Sequence, residues 1–323
     1  MTNFRIPDSL DELLDLLEND SRIRKKQLSE KVTNKPTTED KDTNKYYGLD
    51  SPGNSSRFRE EIASATGSLR QSLFYGKVIE HPLIAFALSL TRRPISDNEI
   101  RAMNGNSLIT ISTREVEGIG EPPLPCCKPS RAFCILLLKK LSEKKINNSV
   151  IGIEIGSNLA EEGYKLGVAR SGKLGKADFR EHITRVYACE YNNDKFGLID
   201  NLDGKKHIII DGKMANEIRD VTGKYDEAIF SEFMDMLTTE RLKQLKTTYA
   251  LDMYLIIADR LMFNKNKSVQ LVRWKELHPL NGWKLANIED YIEEMRRVFY
   301  LVVQDRKDVK LTKEGLQFFP NGS

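Results

Sequence analysis

Residues 170–210 read RSGKLGKADFREHITRVYACEYNNDKFGLIDNLDGKKHIII. Phe179, Ile183, Val186 and Tyr187 recur at helical spacing, so a helix with one apolar face is predicted here. The period then drops to two: residues 196–199 and 207–210 read as strands, the second carrying three β-branched isoleucines, and Asp203-Gly204 between them marks a hairpin. Working backwards, residues 130–141 carry Phe133, Leu136, Leu137 and Leu141 on one helical face, and residues 150–155 form a short strand. A compact helix follows, capped by Asn158 with Glu161 three residues on and stopped by Gly167. The order is helix, strand, helix, turn, helix, hairpin.

The same order returns near the C-terminus. Residues 249–263 form a helix with Leu251, Tyr254, Leu255 and Ala258 on one side, 269–272 a strand, and 274–278 a short helix ended by Pro279. Asn281-Gly282 turns the chain into a third helix carrying Ile288, Tyr291, Ile292, Met295, Val298 and Phe299. Strand-like residues 301–303 and 316–319 then enclose a basic loop, 306–313. Two copies of this order predict an α+β protein with two winged-helix domains, each a helix-turn-helix core with a β-hairpin wing.

Outside the repeats the chain is less regular. Ser9 caps a helix whose Leu10, Leu13, Leu14 and Leu17 form a stripe, with Asp11 and Glu12 in the first turn and Arg22, Arg24, Lys25 and Lys26 following. This amphipathic extension, 1–33, either docks back on the body or serves self-association or a partner. Residues 34–57 hold three apolar side chains, Tyr46, Tyr47 and Leu49, among 24, and read as a flexible linker. A helical pattern over 58–73 and an apolar run ending at Leu90 follow; Asn104-Gly105-Asn106 then turns the chain into strand 107–113, and 118–125 is a loop. The resulting division is 1–33, 34–57, a first winged-helix domain with its lead-in over 58–222, and a second over 223–323.

The 323 residues carry 50 Lys and Arg against 47 Asp and Glu, a net charge of +3, so any basic surface must be local. Four cysteines are too few for a disulfide scaffold, and the longest apolar run is far short of a membrane span, which points to a reducing, cytoplasmic setting without membrane contact. Between residues 170 and 185, Arg170, Lys173, Lys176, Arg180 and Arg185 outnumber Asp178 and Glu181, a net of +3. With the apolar face turned inward, the opposite face presents Ala177, Glu181, Thr184, Arg185 and Ala188. Small Ala and Thr side chains allow close approach to a major groove, and Arg185 is placed to read guanine. Lys205 and Lys206 sit where the wing meets phosphate.

Residues 241–323 hold 15 basic and 10 acidic side chains, net +5. Their third helix faces outward with Asp290, Glu293, Glu294 and Arg297, a poor surface for a phosphate-lined groove. Lys284 and Asn287 at its start, and Arg306, Lys307, Lys310 and Lys313 in the wing, can still hold a backbone. The second unit is therefore either a weaker DNA-binding domain or a dimerisation and partner surface.

No catalytic constellation emerges. Residues 167–173 match the first seven positions of a phosphate-binding loop, but Leu174 in the eighth cannot ligate magnesium. His81, His182, His207 and His278 are isolated, and Cys126-Cys127 with Cys134 lacks a second ligand pair at zinc spacing. A non-enzymatic protein without metal or cofactor is expected.

Several segments resemble the plasmid RepA replication initiators. Residues 98–110, NEIRAMNGNSLIT, are similar to that family's Arg-x-Asn-Gly strand segment, and 124–130 with 153–159, IEIGSNL, to its loop and first winged-helix core. Residues 172–175, GKLG, fall at its Gly-rich turn, 250–255, ALDMYL, resemble its second-domain helix, and 272–277, VRWKEL, its Trp segment. The match extends from about Leu73 to Phe319 and leaves the N-terminal helix outside. Two departures are Gly172-Lys173 in place of a Gly-Gly pair and the loosely kept Pro129-Ser130-Arg131. The resemblance implies binding to repeated origin sequences (iterons) in double-stranded plasmid DNA, local opening, and recruitment of the host initiator and replicative helicase; the dimerisation reading of the second unit adds a homodimer as a further expected partner. A tandem winged-helix transcriptional repressor is the alternative, and a DNA nickase a third reading.

Overall fold

The computed structural model describes residues 5–33, 76–92, 97–142, 151–154, 173–195, 198–202, 205–210, 212–236, 244–264, 269–280, 287–303 and 306–319. The expected linker 34–57, the helical pattern 58–73 and the helix starting at Asn158 lie outside them. What is described is mixed α+β, built of helices around three small antiparallel sheets.

The first repeat is formed by α3 (Cys127–Ser142), β3 (Ile151–Glu154), α4 (Lys173–Tyr187), β6 (Leu198–Leu202) and β7 (Lys205–Ile210). Strand β7 pairs with β3 on one side, Ile151 opposite Ile210, and with β6 on the other, Leu202 opposite Lys205. The second repeat is formed by α7 (Thr248–Phe263), β8 (Gln270–Arg273), α8 (Trp274–Leu277), α9 (Ile288–Val303), β9 (Val309–Leu311) and β10 (Gly315–Phe318). There β10 pairs with β8 on one side and β9 on the other. Both sheets therefore place the hairpin's last strand in the middle, beside the strand that precedes the helices. Residues 301–303, expected as a strand, instead continue α9: Val302 and Val303 are buried in step with Met295, Val298 and Phe299, so the helical period carries on.

Further elements lie around these repeats. The strand expected over 107–113 forms as β2 (Ser107–Thr113); it makes a hairpin with β1 (Glu99–Asn104) and also pairs with β4 (Cys189–Tyr191), which turns through Asn192 and Asn193 into β5 (Asp194–Lys195), and β1, β4 and β5 had no counterpart in the sequence reading. α5 (Gly212–Val221) and α6 (Glu227–Met236) bridge the repeats, α6 packing against both α3 and α7. At the centre is α2 (Pro82–Ser89), whose eight side chains are all buried; Pro82 starts it and the His81 ring nitrogen caps Leu83 N–H.

One apolar cluster runs from Leu13 to Phe318, so the two repeats share a core. Helix α7 is buried from Ala250 to Met262, and its charged residues tie the halves together. Asp252 accepts from Arg131 Nε at 2.7 Å and from Arg92 Nη2 at 3.1 Å. Arg131 also donates to the carbonyls of Leu90, Thr91 and Cys127. Asp259 accepts the Glu80 and His81 N–H groups. Burial pushes the Asp259 carboxyl up to about 6 against these donors and Arg260.

The N-terminal helix docks. Helix α1 (Leu10–Thr33) opens with Ser9 Oγ accepting Glu12 N–H, as the cap predicted, and buries Leu13, Leu14 and Leu17 against α4 and β6. Asp20, on the same face, accepts from Arg24, Arg114, the Tyr187 hydroxyl and Glu117 N–H.

Candidate nucleic-acid interface

Helix α4 forms as its apolar spacing predicted, with Ile183, Val186 and Tyr187 at 0–2% exposure. The face assigned to DNA is not free. Thr184 is fully buried and its hydroxyl donates to Arg180 O at 2.9 Å. Arg185, 9% exposed, pairs with Glu181 and donates towards Leu124 O and Cys126 Sγ, at 3.5 and 3.4 Å. Ala188 is buried as well. Thr184 and Arg185 therefore cannot read bases in this structure. The physical reason is that α4 is covered on more than one side. Tyr187 is bonded to Leu17 O and Ser21 of α1, while His182 shares a 2.9 Å hydrogen bond with Ser130 of α3. The Leu124–Cys126 loop covers Arg185. Burial, with Arg185 nearby, takes the His182 imidazole down to about 4.

The remaining candidates of the first repeat are more dispersed. Arg180 is half-buried at the edge of the covered half of α4. Lys173, Lys176 and Ala177 belong to the first turns of α4, and Lys205 and Lys206 to β7, where they pair with Leu202 and Asn201; the side chains of all five lie outside the described residues. Arg170 and Lys284 lie wholly outside them. Strand β6, the outer strand of this hairpin, is packed against α1.

In the second repeat Arg306 is engaged within the protein: its Nε and Nη2 donate to the Asp308 carboxylate, Nη1 reaches Glu232 of α6, and the guanidinium lies 4.8 Å over the Phe233 ring. It is a strut between the wing and α6, not a phosphate clamp. Asn287 is exposed, but its Oδ1 accepts Asp290 N–H at 2.7 Å and caps α9. Lys307 and Lys310 are exposed, the Lys310 ammonium 4.7 Å from the Phe319 ring.

Sequence reasoning missed the change of sign along α9. Its exposed stripe runs from Glu289, Asp290 and Glu293 to Arg296, Arg297, Tyr300 and Leu301. Tyr300 is 73% and Leu301 45% exposed. Arg296 donates to Lys313 O, which fastens the cationic end of α9 to the β9–β10 turn. Arg297 pairs with Glu294 but keeps most of its side chain in water. The signal was present in Glu293-Glu294-Met295-Arg296-Arg297, where charge reverses within one helical turn. Cations on a helix end beside a hairpin can neutralise phosphates, and an exposed Tyr adds a flat apolar contact.

Among the described residues no group of three or more His, Cys, Asp or Glu is arranged to hold a metal ion, and no helix is long and apolar enough to cross a membrane. No protein-family model, curated protein or solved structure matches this chain.

Proposed function

We propose that this chain is a plasmid replication initiator that binds repeated origin sequences in double-stranded DNA through two winged-helix units and brings host initiator and helicase to them. The observation that carries the reading is the repeated topology, with a helix before a hairpin and the hairpin's last strand central in both sheets. A winged helix presents that helix and hairpin to a duplex. The short segments similar to plasmid initiators favour replication over repression. In this reading the cationic end of α9, Arg296 and Arg297 with Tyr300, and the wing lysines Lys307 and Lys310 contact DNA. The covered half of α4 is scaffold, and Lys173, Lys176, Lys205 and Lys206 are phosphate contacts of the first unit.

The test is a titration of the whole protein against an origin fragment with direct repeats and against random duplex, at several salt concentrations. The repeats are expected to bind roughly 10³-fold tighter or better. Arg297→Ala and Lys310→Ala each weaken both complexes and lower the salt slope by about one. Equal affinity for repeats and random duplex would overturn the reading. Repeat binding with no replication of an origin plasmid when the protein is supplied in trans would make the chain a repressor.

A further inference from the structure

Cys126 and Cys127 are adjacent in sequence and their sulfurs lie 3.3 Å apart, the Cys127 thiol donating to Cys126. Cys126 is 1% exposed, whereas Cys127 is half-buried at the first position of α3. Cys127 also has φ 64, the left-handed region that residues with a Cβ seldom adopt. Its backbone is held there by its own N–H on Thr91 O at 2.8 Å and by Arg131 Nη1 on its carbonyl at 3.3 Å. An observed backbone outlier beside a paired functional group is a reason to look for chemistry.

We propose that Cys126 and Cys127 form a reversible oxidation site, a vicinal dithiol that closes to a disulfide by exchange with a low-molecular-weight disulfide and so bears on the junction between the repeats. Cys127, the more accessible sulfur, attacks first as its thiolate; the bond within the small disulfide breaks and one small thiolate leaves and takes up a proton. Cys126 then loses its proton to solvent and attacks the Cys127 sulfur, forming the Cys126–Cys127 bond and releasing the second small thiol. Two protein thiols are oxidised and one small disulfide is reduced to two thiols.

The surroundings fit these roles. The hydrogen bond from Cys127 and burial push the Cys126 thiol up, while Arg185 and Arg131 pull it down. Once Cys127 is in a mixed disulfide its S–H is gone, and Arg185, 3.4 Å from Cys126 Sγ, is left to favour the attacking thiolate. Adjacent α-carbons stand about 3.8 Å apart, closer than the ~4.4–6.8 Å usual across a disulfide, so the closed ring is strained and readily reopened by thiols. Cys134 and Cys189, both fully buried, are out of reach of the same reagent. Closure matters beyond the loop because Arg131, which bonds the Cys127 and Thr91 carbonyls, also holds Asp252 of α7.

The full-length native protein is incubated with oxidised glutathione, the remaining thiols are alkylated, and intact mass and peptide mapping are read. The expected product has lost two hydrogens, retains no glutathione, carries the link inside the 126–127 peptide and is restored by dithiothreitol. Cys126→Ser is expected to stop at a glutathione adduct on Cys127. Glutathione retained on wild-type Cys127, a link between two chains, or both thiols left intact would each overturn the proposal, and none of these readings depends on the variant folding. Closure is also expected to lower the thermal unfolding midpoint of wild type by a few degrees. A closed disulfide with an unchanged midpoint would overturn the coupling to the junction.

Discussion

Arg185 shows how far a single side chain's role depends on its neighbours. On a helical wheel it lies opposite the apolar stripe; in the structure it is an interior cation shared by Glu181, the Leu124 carbonyl and the Cys126 sulfur. Arg185→Ala is therefore expected to cost about 1–3 kcal/mol of stability in urea unfolding, while the ratio of specific to random DNA affinity stays as in wild type. A fall in that ratio with unchanged stability would return Arg185 to the groove. His182 sits one turn back on the same helix, held by Ser130 and flanked by Arg185 and Glu181. Folding lowers its imidazole from 6.5 to about 4, so unfolding between those values takes up a proton. Its contribution is complete above the upper value and is lost as pH falls to the lower one, at up to about 1.4 kcal/mol per pH unit. His182→Asn is expected to flatten the decline of the urea midpoint over that window by one proton; an unchanged slope would place the titration elsewhere.

Elements respond to their surroundings in the same way. The leucine stripe of α1 declared a helix with one greasy face, and the docked arrangement is the one found. What fixes it is Asp20, a carboxylate at 2% exposure. Burial pushes Asp20 up, but the Glu117 N–H, Arg24 and Arg114 outweigh it and hold the carboxyl below its ordinary value. Removing that carboxylate strands Arg114, whose side chain is 6% exposed. Asp20→Ala is expected to cost about 3–5 kcal/mol in denaturant unfolding and to expose α1 to proteolysis at its N-terminal end. Loss within the range of an ordinary surface pair would show that α1 is held by its leucines alone. Helix α9 teaches the complementary lesson. Leu301, Val302 and Val303 are an apolar run with two β-branched valines that reads as a strand by itself, yet the buried side chains of Val298 and Phe299 carry the helical register through them.

Across the whole molecule the two repeats share a core, and Asp252 stands where they meet, with Arg131, Arg92 and, over the Tyr249 ring at 4.1 Å, the Arg92 guanidinium. Thermal unfolding is expected to be a single transition followed by calorimetry and tryptophan fluorescence together. Asp252→Ala removes the one carboxylate that both Arg131 and Arg92 bond and is expected to cost about 3–5 kcal/mol, more than Asp252→Asn, which keeps one acceptor. Two separate transitions in the wild-type protein, or equal losses for the two variants, would show that the repeats are held independently of this cluster.

Much of this architecture was legible in the sequence because it is written in local periodicity. The hairpin at β6–β7, the β1–β2 turn, helix α7 and the Trp274 helix needed only spacing and turn residues such as Asp203-Gly204 and Asn104-Gly105. Several of the quoted motif residues turn out to be anchors of that architecture. Asn104 bonds the Val78 and Ile79 backbone. Gly105, at φ 62, leaves no room for a Cβ beside Gly76 O. Asp252 holds two arginines. The pairing of β2 with β4, the burial of Thr184 and Arg185, and the strut made by Arg306 were not legible. Each depends on groups some sixty or more residues apart in the chain meeting in space. Periodicity tells which face of a helix is apolar; how many neighbours cover the other face is decided when distant segments pack, because burial is a property of the assembled volume and not of the segment.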